Sequence, residues 1–228
     1  KSYGYLKDLR EFEYDFLIPI FRIVMNPRSH WTMAGSNILY KTNVLKKYNI
    51  PEHMKENAAE DLLHTIILQS KGYKIIFVPE SIAYSKEELD FKGFLKQSGR
   101  WFKGAWYTLL NYILQNQNIV KNLTTVYKLQ IGAFFTLPYY EFVLNYALVE
   151  GIITRKLSYL MWPLLDFSAY LILSLIGYRH YKRYSNGNVR FYFIKNFPRY
   201  YIERHLSLIP YFIGLKEYLN LRKGREGR

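Results

Sequence analysis

Two long apolar stretches constrain the fold of this chain more than any other feature of its sequence. Residues 129–153 are mostly apolar, with Glu141, Asn145 and Glu150 among them, and residues 157–178 carry Asp166 as their only charge. As a helix, each stretch is long enough to cross a hydrocarbon core of about 30 Å. We therefore predict two membrane-crossing helices and an integral membrane protein. Because Glu141 and Asp166 are costly in lipid, we expect them to face protein or a channel.

The composition favours a protein seated at a membrane surface. The formal net charge is +14, aromatic residues make up 18% of the chain, and there is no cysteine. Tyr and Trp favour the headgroup level of a bilayer, and a basic balance predicts an anionic partner. Because the basic residues gather near the apolar segments, we expect that partner to be membrane lipid and not nucleic acid. The lack of cysteine excludes disulfides and thiolate metal sites.

The segment before the first apolar stretch combines helical and strand patterns. Apolar residues at helical spacing predict a helix over residues 58–71, which Gly72 would end. Residues 73–78, YKIIFV, predict a short strand closed by Pro79. Residues 91–115 predict an amphipathic helix. The helix predicted over residues 58–71 therefore leads directly to the predicted strand.

Glu60 and Asp61 fall in the first turn of the helix predicted over residues 58–71. The helix dipole favours a charged carboxylate at this position. A carboxylate within hydrogen-bond reach of an acceptor hydroxyl can serve as a general base. Acidic residues are also common at helix starts, so the pair alone has two interpretations, a catalytic base and an ordinary helix start.

Gln97, Arg100 and Trp101 form a Q-x-x-R-W motif within the helix predicted over residues 91–115. One helical turn separates Gln97 from the other two, so all three share a face. Arg can bind a diphosphate through two parallel hydrogen bonds, and Trp offers a flat apolar surface to a sugar ring. The alternative is an interface helix whose Arg and Trp serve packing and snorkelling.

In their order along the chain, these motifs resemble those of the membrane-embedded processive family 2 glycosyltransferases, the group of cellulose, chitin, hyaluronan and poly-N-acetylglucosamine synthases. In that family a Gly-Ser motif in a strand-to-helix bend precedes an acidic pair, and a Q-x-x-R-W helix at the membrane face follows. Gly35 and Ser36 match the first motif, Glu60 and Asp61 the second, and residues 97–101 the third. The resemblance implies an α/β fold, a sheet with helices that forms the acceptor-side half of a GT-A type domain, with Gly35 and Ser36 on the acceptor side.

The resemblance also implies roles for the other motif residues. Asp61, with Glu60 beside it, would be the general base of an inverting transfer from a nucleotide-diphosphate sugar to a growing polysaccharide. Gln97 and Arg100 would contact the diphosphate of the donor. Trp101 would stack under the sugar of the glycan or lipid-linked acceptor.

Two features of the family are missing from this chain. The donor half of the family carries a D-x-D metal motif, and no D-x-D occurs here. We therefore expect Mg²⁺ or Mn²⁺ for the full enzyme, with no metal ligands in this chain, and no activity from this chain alone. The histidines are scattered without metal-ligand spacing. No F-x-V-T-x-K segment follows the Q-x-x-R-W motif, which argues against a cellulose synthase.

These patterns predict a first domain over residues 1–128 and a membrane region over residues 129–228. The region would hold two transmembrane helices and a basic interfacial tail, with the catalytic part and the C-terminus in the cytosol. Residues 206–215 are too short to span, and basic, aromatic residues 191–204 should lie along the inner surface. Two alternatives to a polysaccharide synthase stay open: a non-processive transferase that acts on a lipid, and a membrane-anchored subunit without catalysis of its own.

Overall fold

The computed structural model describes residues 12, 38–50, 59–78, 81, 90–181 and 189–226. The helices in these residues are α1 (Thr42–Lys47), α2 (Glu60–Ser70), α3 (Phe91–Thr108), α4 (Gln117–Asn122), α5 (Thr125–Thr154), α6 (Leu157–Tyr181), α7 (Val189–Glu203) and α8 (Leu208–Glu226). A π-helical turn, Leu109–Ile113, follows α3, and a 3₁₀ turn, Arg204–Ser207, precedes α8.

The predicted α/β fold is wrong for the part of the chain that the structure describes, which is helical and contains no strand. Residues 73–78, predicted as a strand, have no regular secondary structure. A strand needs a neighbouring strand that pairs with its backbone N–H and C=O groups. The apolar, β-branched composition of YKIIFV favours a strand, but no described segment pairs with it. The GT-A type sheet is therefore not seen in these residues. The bend predicted at Gly35 and Ser36 lies outside them.

The helix predictions around the acidic pair and the Q-x-x-R-W motif are confirmed. The helix predicted over residues 58–71 is α2, and Gly72 follows it with φ of 79°, the left-handed conformation that commonly ends helices. The helix predicted over residues 91–115 is α3 with its π turn. Asp90 caps α3 by accepting a hydrogen bond from the backbone N–H of Gly93.

The chain divides into two compact units. The motif unit comprises Arg22–Ile131 and Leu208–Arg228, and the apolar unit comprises Lys1–Phe21 and Gly132–Ser207. In the motif unit, Leu63 and Ile67 of α2 are buried and form a small core with four partly buried side chains, Tyr48, Ile50, Tyr107 and Tyr112. This core joins the helix of the acidic pair to the helix of the Q-x-x-R-W motif.

The apolar unit is a hairpin of α5 and α6 with α7 packed against α6. Arg155, with φ of 53°, makes the turn between α5 and α6. On the α7 side, Phe193 and Phe197 pack on Phe12, with ring centroids 5.7 and 6.2 Å from the Phe12 ring. Their burial supplies a core for this unit.

Buried acids of the apolar unit are paired with basic side chains. Asp166 of α6 forms an ion pair with Arg204, and the Tyr201 hydroxyl donates a hydrogen bond to the same carboxylate at 2.7 Å. Glu141 of α5 contacts the ring Nδ1 of His205. Both acids are buried, and both contact protein, as expected for acids in apolar segments.

One helix within the described ranges, Leu157–Arg179, is long and apolar enough to cross a membrane, and 22% of its most apolar stretch is buried. It corresponds to the second of the two predicted crossings. The first predicted crossing lies in α5, which is longer but is interrupted by polar side chains, among them Glu141, Asn145 and Glu150. By length α5 could span a membrane, but its composition does not meet the same requirement.

Candidate active site

Asp61 is held at the start of α2 by its own backbone and side chain. Its Oδ1 accepts a hydrogen bond from the backbone N–H of Leu62 at 2.7 Å, and its backbone carbonyl accepts one from the Thr65 hydroxyl at 2.7 Å. The Asp61 side chain is half-buried, and neighbouring Glu60 is exposed. Both lie in the first helical turn, where the dipole stabilises negative charge. The structure therefore presents one exposed carboxylate and one partly sheltered carboxylate side by side.

Behind this pair, one turn further along α2, lies a buried histidine. His64 is 2% exposed. Its Nε2 lies 2.8 Å from the backbone oxygen of Tyr48, and its Nδ1 lies 3.1 Å from the hydroxyl oxygen of Tyr40. The Tyr40 and His64 rings are stacked, with centroids 4.9 Å apart. Both ring nitrogens therefore have a hydrogen-bond partner.

The surroundings change the proton affinities of both rings. Burial lowers the pKa of His64, partly offset by its hydrogen bond to the Tyr48 carbonyl, so the neutral imidazole is favoured. Burial also raises the pKa of Tyr40, and the negative charges of Asp61 and then Glu60 raise it further. Tyr40 therefore lies within the electrostatic reach of the acidic pair and stays protonated.

The Q-x-x-R-W residues share one side of α3. Because successive residues of an α-helix are about 100° apart around its axis, Gln97, Arg100 and Trp101 project to one side. Arg100 is exposed, whereas Gln97 and Trp101 are half-buried. The opposite side carries the residues that contact α8, namely Gly99, Phe102, Lys103 and Trp106. The motif face is therefore turned away from α8.

The C-terminal helix α8 supports α3 from behind. Tyr211 lies between the rings of Phe102 and Trp106, with centroids 5.4 and 5.2 Å from its own. Burial raises the pKa of Tyr211 to about 12. Further along, Lys103 and Glu217 form an exposed ion pair at 3.6 Å. Packing of aromatic rings in this edge-to-face manner fixes the rotation of α3 and hence the direction of its motif face.

The π turn after α3 aligns two tyrosines on α2. Tyr107 and Tyr112 both pack against the buried face of α2. In a regular α-helix, residues five apart would project about 140° apart. The π turn reduces this offset, with a backbone hydrogen bond from the Leu114 N–H to the Leu109 oxygen at 3.0 Å that spans five residues. Both tyrosines thereby tie α3 to the helix of the acidic pair.

The sequence-predicted site residues are thus partly brought together. Glu60 and Asp61 on α2 and the Q-x-x-R-W residues on α3 belong to the motif unit, and their two helices pack through one core. Gly35 and Ser36 lie outside the described residues. Tyr40 and His64 were missed by sequence reasoning, although His64 follows Asp61 by one helical turn, which was the available signal.

The Mg²⁺ or Mn²⁺ expected for the full enzyme needs several oxygen or nitrogen ligands close together. Among the residues that the structure describes, no group of three or more His, Asp or Glu side chains is arranged to hold a metal ion. The described residues therefore do not form a metal site among themselves.

Comparison with known proteins decides the family. The model of the family described as Glycosyl transferase family group 2 matches residues 3–213, which is most of the chain. The chain belongs to this family. No curated protein and no solved structure gives a significant match. Membership in family 2 supports a sugar-transfer function and implies, in general terms, a nucleotide-sugar donor and an acceptor. The predicted membership in family 2 is thereby confirmed, while the processive synthase subtype stays a prediction.

Proposed function

We propose that this family 2 glycosyltransferase chain carries the base and the acceptor-side residues of an inverting, processive transfer of sugar from a nucleotide-diphosphate donor to a growing polysaccharide. The observation that carries the proposal is the packing of α2 on α3. Through Leu63 and Ile67 against Tyr107 and Tyr112, this packing places the acidic pair and the Q-x-x-R-W helix in one compact unit.

Asp61 is the proposed general base. Its carboxylate is half-buried and is fixed by the Leu62 N–H, so its position is defined before substrate arrives. A base takes the proton of the acceptor hydroxyl as that oxygen attacks the anomeric carbon of the donor. The bond from that carbon to the diphosphate breaks as the new glycosidic bond forms, and a single displacement of this kind inverts the configuration.

Arg100, Gln97 and Trp101 are proposed to hold the other reacting groups. The exposed guanidinium of Arg100 can make two parallel hydrogen bonds to the departing diphosphate, which stabilises the charge that develops there. Gln97, on the same side of α3, supplies a further donor and acceptor. Trp101 supplies an apolar face on which the acceptor sugar stacks.

We further propose that the apolar unit lies in the membrane and that the motif unit lies on its cytosolic face, in contact with membrane lipid. Two properties of α6 support a position in the membrane. It has the length and composition of a membrane span, and most of its apolar surface is exposed. For α5, the acid nearest its middle, Glu141, is buried against His205 and does not face lipid. Asn145 donates a hydrogen bond to the Glu141 backbone carbonyl at 2.7 Å. Glu141 and Asn145 of α5 thus have partners within the protein, which lowers the cost of a second crossing.

Substitution of Asp61 by Asn in the full-length enzyme tests the proposed function. Asn keeps the Oδ1 acceptor for the Leu62 N–H, so the start of α2 is preserved while the base is removed. We expect sugar transfer in isolated membranes to fall by about 10² to 10⁴, with donor binding nearly unchanged. The matched control is Glu217→Gln, which removes an exposed carboxylate on α8 and should leave transfer near wild type. Transfer by Asp61→Asn within a few-fold of wild type would show that Asp61 is not the base.

The product distinguishes the proposal from its alternatives. Membranes that contain the full-length enzyme are supplied with a panel of nucleotide sugars, and the products are sized. Long glycan chains support the processive reading, and a single sugar on a lipid supports the non-processive transferase. Trp101→Ala should shorten the chains, because the stacking surface for the acceptor is lost. Absence of any transferred sugar across the panel would favour a non-catalytic subunit.

A further inference from the structure

We propose that Tyr40 and His64 are positioning residues for the base, and that His64 keeps the hydroxyl hydrogen of Tyr40 pointed away from the carboxylates of Glu60 and Asp61. This inference rests on the proposed function, in which Asp61 is the base. If the Tyr40 hydroxyl instead donated toward Asp61, it would stabilise the charged carboxylate and lower its pKa. Asp61 would then be a weaker base.

The hydrogen-bond pattern fixes the direction of the Tyr40 hydroxyl. The backbone oxygen of Tyr48 can only accept, so His64 Nε2, 2.8 Å away, must carry the hydrogen. In a neutral imidazole the other nitrogen, Nδ1, is then an acceptor. The Tyr40 oxygen lies 3.1 Å from Nδ1, so Tyr40 donates its hydrogen to His64.

Burial keeps His64 in the neutral form that this pattern requires. The ring is almost fully buried and is stacked on Tyr40. A protonated ring would place a hydrogen on Nδ1, facing the Tyr40 oxygen, and Tyr40 would have to turn its own hydrogen elsewhere. The lowered pKa of His64 agrees with this, since it favours the acceptor form of Nδ1.

The acidic pair exerts the competing pull on the same hydroxyl. Its charges act on Tyr40, because after burial they are the next causes of the raised pKa of that phenol, Asp61 before Glu60. Negative charge attracts the positive end of an O–H dipole. Without an acceptor on the His64 side, the Tyr40 hydrogen would turn toward the carboxylates and stabilise their charged form.

Among the residues that the structure describes, basic groups are carried by the segments around this pair: Lys41 follows Tyr40, and Lys121 lies on α4, which packs against α2. From α1, the Lys47 ammonium lies 5.3 Å from the centroid of the Tyr48 ring. Tyr73 packs on the edge of the same ring. From α3 and its π turn, Tyr107 and Tyr112 cover the adjacent part of α2. Among the described residues, the charges that the experiment must consider are therefore Glu60, Asp61, Lys41, Lys47 and Lys121.

Two isosteric substitutions of His64 separate its donor from its acceptor. The amide N–H₂ of Gln can replace Nε2–H toward Tyr48, but Gln offers nothing at the position of Nδ1. The amide oxygen of Asn can replace the Nδ1 acceptor toward Tyr40. The readout is the pH dependence of kcat/KM for the full-length enzyme in membranes, because its acid limb reports the ionisation of the base in the free enzyme.

We expect His64→Gln to move the acid limb to lower pH by about 0.5 to 1 unit and to lower the plateau rate several-fold. His64→Asn should keep the wild-type acid limb. Tyr40→Phe removes the hydroxyl, so the double variant Tyr40→Phe/His64→Gln should show the same acid limb as Tyr40→Phe alone. A purely structural role for His64 would lower the rate without this dependence on Tyr40.

Three outcomes would overturn the proposal. They are an unshifted acid limb in His64→Gln, a shift that persists when Tyr40 is replaced by Phe, and a shift in His64→Asn that Tyr40→Phe does not reverse. If His64→Gln does not accumulate as folded protein, the measurement on His64→Asn still tests the proposal. Asp61→Asn separates the two levels of inference: if it remains active, the base assignment fails, whereas if it is inactive and His64→Gln is unshifted, only the Tyr40–His64 proposal fails.

Discussion

Gly214 of α8 lies directly against Gly99 of α3. A Cβ atom at Gly214 would be 2.8 Å from the backbone oxygen of Gly99 and 2.6 Å from the backbone nitrogen of Lys103. Backbone atoms cannot move aside as a flexible side chain can. The close crossing of these helices therefore requires glycine at position 214, and it fixes α8 on the side of α3 that faces away from the Q-x-x-R-W residues.

Gly214→Ala is expected to destabilise the protein because its methyl group would meet backbone on α3. Overpacking of this kind costs about 1–3 kcal/mol, which corresponds to a melting temperature lowered by roughly 3–10 °C. The measurement is thermal unfolding of the detergent-solubilised enzyme. The matched control is Gly132→Ala in α5, where a Cβ meets nothing within 4 Å, so the melting temperature should stay the same or rise slightly. Equal behaviour of the two variants would contradict the close crossing.

Arg100→Lys is expected to lower donor-dependent transfer although it preserves the charge. Lys cannot make the planar, two-point contact that a guanidinium makes with a diphosphate. Loss of one charge-assisted hydrogen bond predicts a decrease in kcat/KM for the nucleotide sugar of about 10- to 100-fold. Because Arg100 is exposed, the melting temperature should not change. Arg179→Lys, at the exposed end of α6, serves as the control. Full activity of Arg100→Lys would mean that a point charge is sufficient.

Asp166→Asn should strongly destabilise the apolar unit. The side chains of Asp166 and Arg204 are 6% and 7% exposed, so the substitution leaves Arg204 buried without its counter-charge. Breaking a buried pair from one side costs about 3–5 kcal/mol, or roughly 10 °C in melting temperature. Glu217→Gln is the matched control, since the Lys103–Glu217 pair is 36% and 48% exposed and such pairs contribute little. Equal melting temperatures for the two variants would show that the buried pair does not stabilise the fold.

The C-terminus is expected on the cytosolic side, with the Q-x-x-R-W helix. Because α8 packs on α3 within the motif unit, the proposed topology puts residues that follow α8 on the side of the membrane where nucleotide sugars are found. A tag placed after Arg228 should be protected from protease added to intact cells. A tag inserted between Arg155 and Lys156, in the turn from α5 to α6, should be cleaved. Cleavage of the C-terminal tag from outside would refute this topology.

Local sequence signals predicted the helices that carry the motifs because each signal acts within a few residues. Apolar residues at helical spacing and Gly72 define α2, and Asp90 starts α3 by capping it. The positions of Glu60 and Asp61 in the first turn of α2 follow from the same local rules. The sharing of one face by Gln97, Arg100 and Trp101 follows from helix geometry alone.

The features that sequence reasoning got wrong or missed depend on contacts between distant residues. Residues 73–78 have strand composition, but a strand exists only if another segment pairs with it, and composition does not report on that segment. His64 meets Tyr40, 24 positions earlier in the chain, and no local pattern connects them. The apolar run over residues 206–215 is too short to identify a helix by itself. In the structure most of it is the first part of α8, which extends to Glu226 and packs on α3.

The π turn at Leu109–Ile113 lets this region hold one extra residue while Tyr107 and Tyr112 both face α2. A five-residue turn accommodates one residue more than an α-helical turn would at the same place. Deletion of a single residue between the two tyrosines would leave them four apart in an ordinary helix, about 40° apart around its axis, so both would still face the same side. Relatives that have one residue fewer across these positions can therefore keep the same geometry between the acidic pair and the Q-x-x-R-W helix with a regular α-helix.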